Sequence, residues 1–96
     1  MPFFVRLANF TEQGSRQTRE LAKLLAQAKQ VIEANGARLV QAYATLGRYD
    51  LVTVIEAPDE NAMAKISALI AAQGNFKAES LPAIPIQDFV QSVQER

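Results

Sequence analysis

The order of apolar and polar positions divides the chain into six main segments. Phe3 to Phe10 is rich in aromatic and branched residues and predicts a strand. Thr11-Glu12-Gln13-Gly14 interrupts it, and Ser15 or a near neighbour offers a helix cap. From about Arg16 to Ala34, Leu21, Leu24, Leu25, Ala28 and Ile32 recur three and four residues apart, which places them in one stripe of a helix. Asn35-Gly36 ends that helix. Arg38 to Leu46 and Leu51 to Ala57 predict two strands joined by the turn Gly47-Arg48-Tyr49-Asp50, and so short a link makes them an antiparallel hairpin. Asp59 caps a second helix with Ala62, Met63, Ile66, Leu69 and Ile70 as its stripe, ended by Gly74-Asn75. Phe76 to Ala83 predicts a fourth strand at a sheet edge, because Pro82 has no amide to donate. Pro85 to Val93 predicts a short closing helix with Phe89, Val90 and Val93 facing inward. The order β-α-β-β-α-β plus a terminal helix is an α+β, ferredoxin-like arrangement, expected as a single domain over residues 1–96.

The hairpin predicts a register. With Leu46 opposite Leu51, Thr45 faces Val52, Tyr43 faces Val54 and Gln41 faces Glu56. Val40, Ala42, Ala44, Leu46, Leu51, Thr53 and Ile55 then share one small, apolar face suited to helices. Gln41, Tyr43, Thr45, Val52, Val54 and Glu56 share the other, joined from the first strand by Phe4, Ala8 and Phe10. The two helices cover only one face. A second face bearing Phe, Tyr and Val is a sticky patch, and its simplest cover is the same face of a second copy related by two-fold symmetry.

Composition narrows the chemistry. Ten basic and ten acidic residues cancel, so the broad basic face that phosphate contacts require is missing and no nucleic-acid partner is expected. Arg16, Arg19 and Lys23, interspersed with Glu12 and Glu20, read as a solvated helix face. The sequence contains no cysteine and no histidine. That excludes disulfides, cysteine- or histidine-ligated zinc, thiol nucleophiles, Ser-His-Asp triads and the commonest proximal haem ligand. No spaced acidic loop suits a hard cation either, so neither metal nor cofactor is expected. No apolar stretch approaches the roughly 20 residues of a membrane span, and a cytoplasmic protein is expected.

The segment Tyr43-Ala44-Thr45-Leu46-Gly47-Arg48-Tyr49-Asp50-Leu51-Val52, followed by Glu56-Ala57-Pro58-Asp59, is distinctive as a whole. It resembles the GYD-domain family of small bacterial and archaeal proteins, named for the residues that stand here as Gly47, Tyr49 and Asp50. Thr11-Glu12-Gln13-Gly14, Gly74-Asn75 and, more loosely, Glu79-Ser80-Leu81-Pro82-Ala83 extend the similarity along the chain. The resemblance implies a homodimeric α+β barrel in which two sheets face each other. It implies no established activity, and kinship of fold assigns none.

Tyr43, Thr45, Tyr49, Asp50 and Glu56 are the candidate ligand-binding residues. Each also has a structural role to play. Gly47 suits a positive φ, Asp50 suits bonding to backbone amides, and Tyr43 and Tyr49 suit packing over the hairpin or a partner subunit. A buried Glu56 needs a cationic partner, for which Arg6 and Arg38 are the candidates. Three functions follow. The first is a homo-oligomeric module that binds a small apolar or aromatic molecule or supports assembly. The second is a cofactor-independent monooxygenase- or isomerase-like enzyme that uses those tyrosines and carboxylates on a small apolar substrate. The third is a subunit or regulator of a larger complex contacted through the hairpin turn. The absence of any nucleophile–base pair ranks the module first.

Overall fold

A computed structural model describes residues 1–94. Four strands, β1 (Phe3–Phe10), β2 (Arg38–Ala44), β3 (Leu51–Glu56) and β4 (Phe76–Ala83), form one antiparallel sheet in the order β2-β3-β1-β4. Helices α2 (Leu21–Ala34) and α3 (Glu60–Ala72) cover one face. This is the α+β ferredoxin-like fold that the segment order predicts. β4 lies at a sheet edge, where Pro82 is tolerated.

The core lies between the sheet and those two helices. Leu24, Ala28 and Ile32 of α2 and Met63, Ile66 and Ile70 of α3 meet Phe4, Ala8, Leu51, Ile55 and Phe76 of the sheet. Leu69, one residue before Ile70, stays 41% exposed and outside the core cluster, so the stripe of α3 is narrower than its sequence suggests. Asp59 caps α3, its carboxylate accepting from the Ala62 amide at 2.8 Å. The Ser67 and Ser80 hydroxyls, 3.0 Å apart, join α3 to β4.

The first helix begins later than its stripe predicts. Residues from Glu12 to Glu20 are spent in a single turn, α1 (Glu12–Ser15), and a 3₁₀ turn over Thr18–Glu20. Thr11, not Ser15, provides the cap, accepting from the Gly14 amide at 3.0 Å. The cause is tertiary. The Thr11 amide donates to the Asn75 carbonyl at 3.1 Å, the Thr11 hydroxyl donates to the Gly74 carbonyl, and the Gln13 amide group reaches the Asn75 side chain at 3.0 Å. A Cβ on Gly14 would stand 2.0 Å from the Asn75 carbonyl oxygen, so only glycine permits this approach.

Five further expectations are corrected. The hairpin register is slipped by two, with Tyr43 opposite Val52 and Gln41 opposite Val54. An even slip keeps each side chain on its face. A bulge between Leu39 and Gln41 then turns Leu39, not Val40, towards the core and sets Arg38 beside Glu56. Leu46 leaves the sheet altogether and stands in the turn, 99% exposed. On β1 the parity is reversed. Phe4, Ala8 and Phe10 face the helices, while Phe3, Val5 and Leu7 lie with Val52 and Val54 on the open face. Finally, α4 (Ile86–Gln94) does not close over the core. Its apolar residues, Ile86, Phe89, Val90 and Val93, are all exposed.

Candidate functional site

The hairpin turn is built by its own polar groups. The Thr45 amide donates to the Asp50 carbonyl at 2.9 Å, and the Thr45 hydroxyl donates to the Tyr49 carbonyl at 2.6 Å. Gly47 has a φ of 97° with open space around it, so backbone geometry alone demands glycine there. Asp50 reaches beyond the hairpin. Its carboxylate accepts from the Phe10 amide at 2.9 Å, and its amide lies within hydrogen-bond distance of the Ala8 carbonyl and the Asn9 side-chain oxygen. One residue therefore ties the turn to the end of the central strand β1.

Tyr49 folds back across the sheet. Its hydroxyl is 3.4 Å from the Glu79 carboxylate of β4, and the Arg48 guanidinium stacks 5.9 Å from its ring centre. A shallow cavity of about 220 Å³ lies beside it, lined by Leu7, Asn9, Lys77, Ala78 and Glu79. Tyr43 stands on β2, 55% exposed. Glu56 sits at the opposite end of β3 from this turn and pairs with Arg38 of β2 at 2.9 Å. The structure thus brings Thr45, Tyr49 and Asp50 together. It leaves Tyr43 out on the sheet and Glu56 at the far end.

Arg6, the other proposed partner of Glu56, faces the helices instead and is only 5% exposed. It takes part in none of the ion pairs among the described residues, and its Nε is buried with no hydrogen-bond acceptor. Burial pushes the guanidinium below the ordinary arginine range. Sequence reasoning missed this position because alternation assigned its charge to the open face. It missed Asn9 and Asn75 as well, whose side chains carry no periodic signal.

The open face of the sheet bears Phe3, Val5, Leu7, Val52, Val54 and Leu81, with Tyr43 and the Arg38–Glu56 pair among its outer members. No helix among the described residues covers it. Among the described residues, no three acidic groups converge as a metal site would need, and no helix is long and apolar enough to cross a membrane.

The family model of the GYD domain matches residues 4–93. The chain belongs to the GYD-domain family. Gly47, Tyr49 and Asp50 are the residues of the family's name, and here they form the turn that Asp50 anchors to β1. A curated relative from Thermus thermophilus bears the name glutamine synthetase and cystathionine beta-lyase binding protein. It is 34% identical over 91 residues, covering 94% of this chain and 96% of the relative. The crystal structure of a protein called FFRP-DM1 superposes with a TM-score of 0.60 at 21% identity. That match covers 88% of this GYD chain and all of the other, and at such identity it speaks for the fold alone.

Proposed function

We propose that this GYD-domain chain is a small homo-oligomeric binding module whose sheets pair face to face and whose hairpin turns dock on partner proteins. The observation that carries the reading is the open sheet face. Phe3, Val5, Leu7, Val52, Val54 and Leu81 lie on a side that no helix among the described residues covers. Burying such a face yields roughly 25 cal/mol for each Å² of apolar surface removed from water. A second copy of the same face supplies a surface of matching character, and a two-fold axis satisfies both at once.

The turn supports the partner half of the reading. Leu46 stands fully exposed at the hairpin tip beside Arg48, held on a turn whose backbone is fixed by Thr45 and Asp50. Leu46 offers apolar surface that a partner can remove from water, and Arg48 and Tyr49 beside it are of the residue types in which interface binding energy concentrates. The relative's name supplies the class of partner, amino-acid-metabolising enzymes such as glutamine synthetase and cystathionine beta-lyase. The candidate residues divide accordingly. Tyr43 and Glu56 serve the subunit interface, while Thr45, Tyr49 and Asp50 shape the docking turn.

Sedimentation equilibrium and surface plasmon resonance with the two purified enzymes test this reading. A concentration-dependent dimer that binds at least one enzyme is expected, and L46D should abolish that binding while the dimer persists. A monomer at all concentrations, or enzyme binding indifferent to Leu46→Asp, sinks it.

A further inference from the structure

The terminal helix α4 presents an apolar face to solvent. Ile86, Phe89, Val90 and Val93 recur three and four residues apart, so they form one stripe of the helix. All four are exposed, and none belongs to the core cluster of the described residues. A helix of nine residues does not hold its shape in water by its own hydrogen bonds, since isolated helices below about 12–15 residues are marginal. The stripe therefore needs cover.

Three observations narrow what covers it. By their rise per residue, β4 and α4 measure about 27 Å and about 14 Å, and with the short link between them they account for most of the 52 Å length of the molecule. α4 thus runs outward from the end of β4. Leu81 and Ala83, opposite Val5 and Phe3, lie on the open face of the sheet, and exposed Ile84 follows them. One apolar row continues from the open face into the helix. The polar side of α4 carries a single charge, Asp88, and no lysine or arginine, whereas helices that lie on lipid surfaces are rich in both.

We propose that α4 is an exchanged arm, packing its stripe against the border of the open sheet face of a second copy while that copy's arm returns the contact. Resting on the self-association reading above, the exchange adds α4 to that interface. Sheets stacked face to face stand about 10 Å apart, so an arm about 14 Å long that starts at the border of one face reaches the other. A two-fold axis makes the two contacts identical, and the arm and the sheet, each left open among the described residues, cover one another.

The chain has no cysteine, so Gln94→Cys takes a single benzophenone maleimide beside the stripe and leaves the stripe intact. An equilibrated, equal mixture of ¹⁴N and ¹⁵N chains is irradiated, and the cross-linked peptides are read by mass spectrometry. Peptides that join α4 of one isotope to the sheet strands of the other are the expected result. Phe89→Asp sets a charge into the contact and should weaken the dimer at least about tenfold in sedimentation equilibrium. A monomer at every concentration overturns the self-association reading and the arm with it. A dimer whose cross-links never mix isotopes, or join only the two arms, overturns the arm and leaves the sheet pairing standing, as does an unchanged dissociation constant in F89D. Cross-links from α4 that form only to added glutamine synthetase or cystathionine beta-lyase overturn the exchange and give the arm to that enzyme.

Discussion

At Asp50 a single carboxylate accepts from the Phe10 amide while the same residue's backbone closes the hairpin on Thr45. Asp50→Ala leaves the Phe10 amide without that charged acceptor, and a loss of about 1.5–3 kcal/mol is expected for a bond of this kind. Urea denaturation at unchanged m-value measures it. Two glycines separate two causes of strain. Gly14→Ala would set a methyl group 2.0 Å from the Asn75 carbonyl, backbone against backbone, and should cost about 3 kcal/mol, the upper end for overpacking. Gly47→Ala meets no neighbour but must hold a φ of 97°, and about 1–2 kcal/mol is expected. Thermal melts that rank the two in the opposite order would show that the Thr11–Gly14 turn gives way more easily than its contacts with Asn75 imply.

Among the elements, α2 and α3 obey their stripes, because three- and four-residue spacing puts Leu24, Ala28, Ile32, Met63, Ile66 and Ile70 on the buried sides whatever lies opposite. The terminal helix shows the limit of that logic. Its spacing of Phe89, Val90 and Val93 defines an apolar face, yet these three side chains are exposed and stand outside the core cluster of the described residues. Periodicity states that a face wants cover and not where the cover is. Phe89→Asp should therefore leave the melting temperature of the isolated fold nearly unchanged. If α4 finds its cover on a second copy, the same substitution shifts the sedimentation coefficient towards monomer. A large loss of thermal stability in the monomer would instead place α4 against its own sheet.

For the whole molecule, the principal extents of 52 × 30 × 17 Å and a radius of gyration of 14.4 Å describe a body longer than a compact chain of this size, for which about 12–13 Å is usual. The length and the open sheet belong together, since both expose surface that the proposed assembly would bury. Tyr43→Ala should weaken the proposed dimer by about tenfold or more, as removal of an interface aromatic commonly does. Analytical ultracentrifugation over a dilution series checks this, and an unchanged dissociation constant removes Tyr43 from the interface.

The strand and helix segments, their order and the edge position of β4 were legible because periodicity, turn residues and proline act locally. The family was legible from the run around Gly47, Tyr49 and Asp50. Other features depended on pairings between distant segments. Phe3, Val5 and Leu7 make as good an apolar row as Phe4, Ala8 and Phe10, so β1 by itself does not state which row meets the helices. Its pairing with β3 and β4 decided that, and buried Arg6 with the second row. The hairpin register slipped because the turn closes at Thr45 and Asp50, a bond between backbones that leaves no trace in side-chain spacing. The Thr11–Gly14 turn took its shape from Asn75, more than sixty residues away along the chain. Sequence alone determines what each short segment prefers. Tertiary contact decides which of two equal faces is buried, because that choice is set by the energy of the whole sheet and not by any one strand.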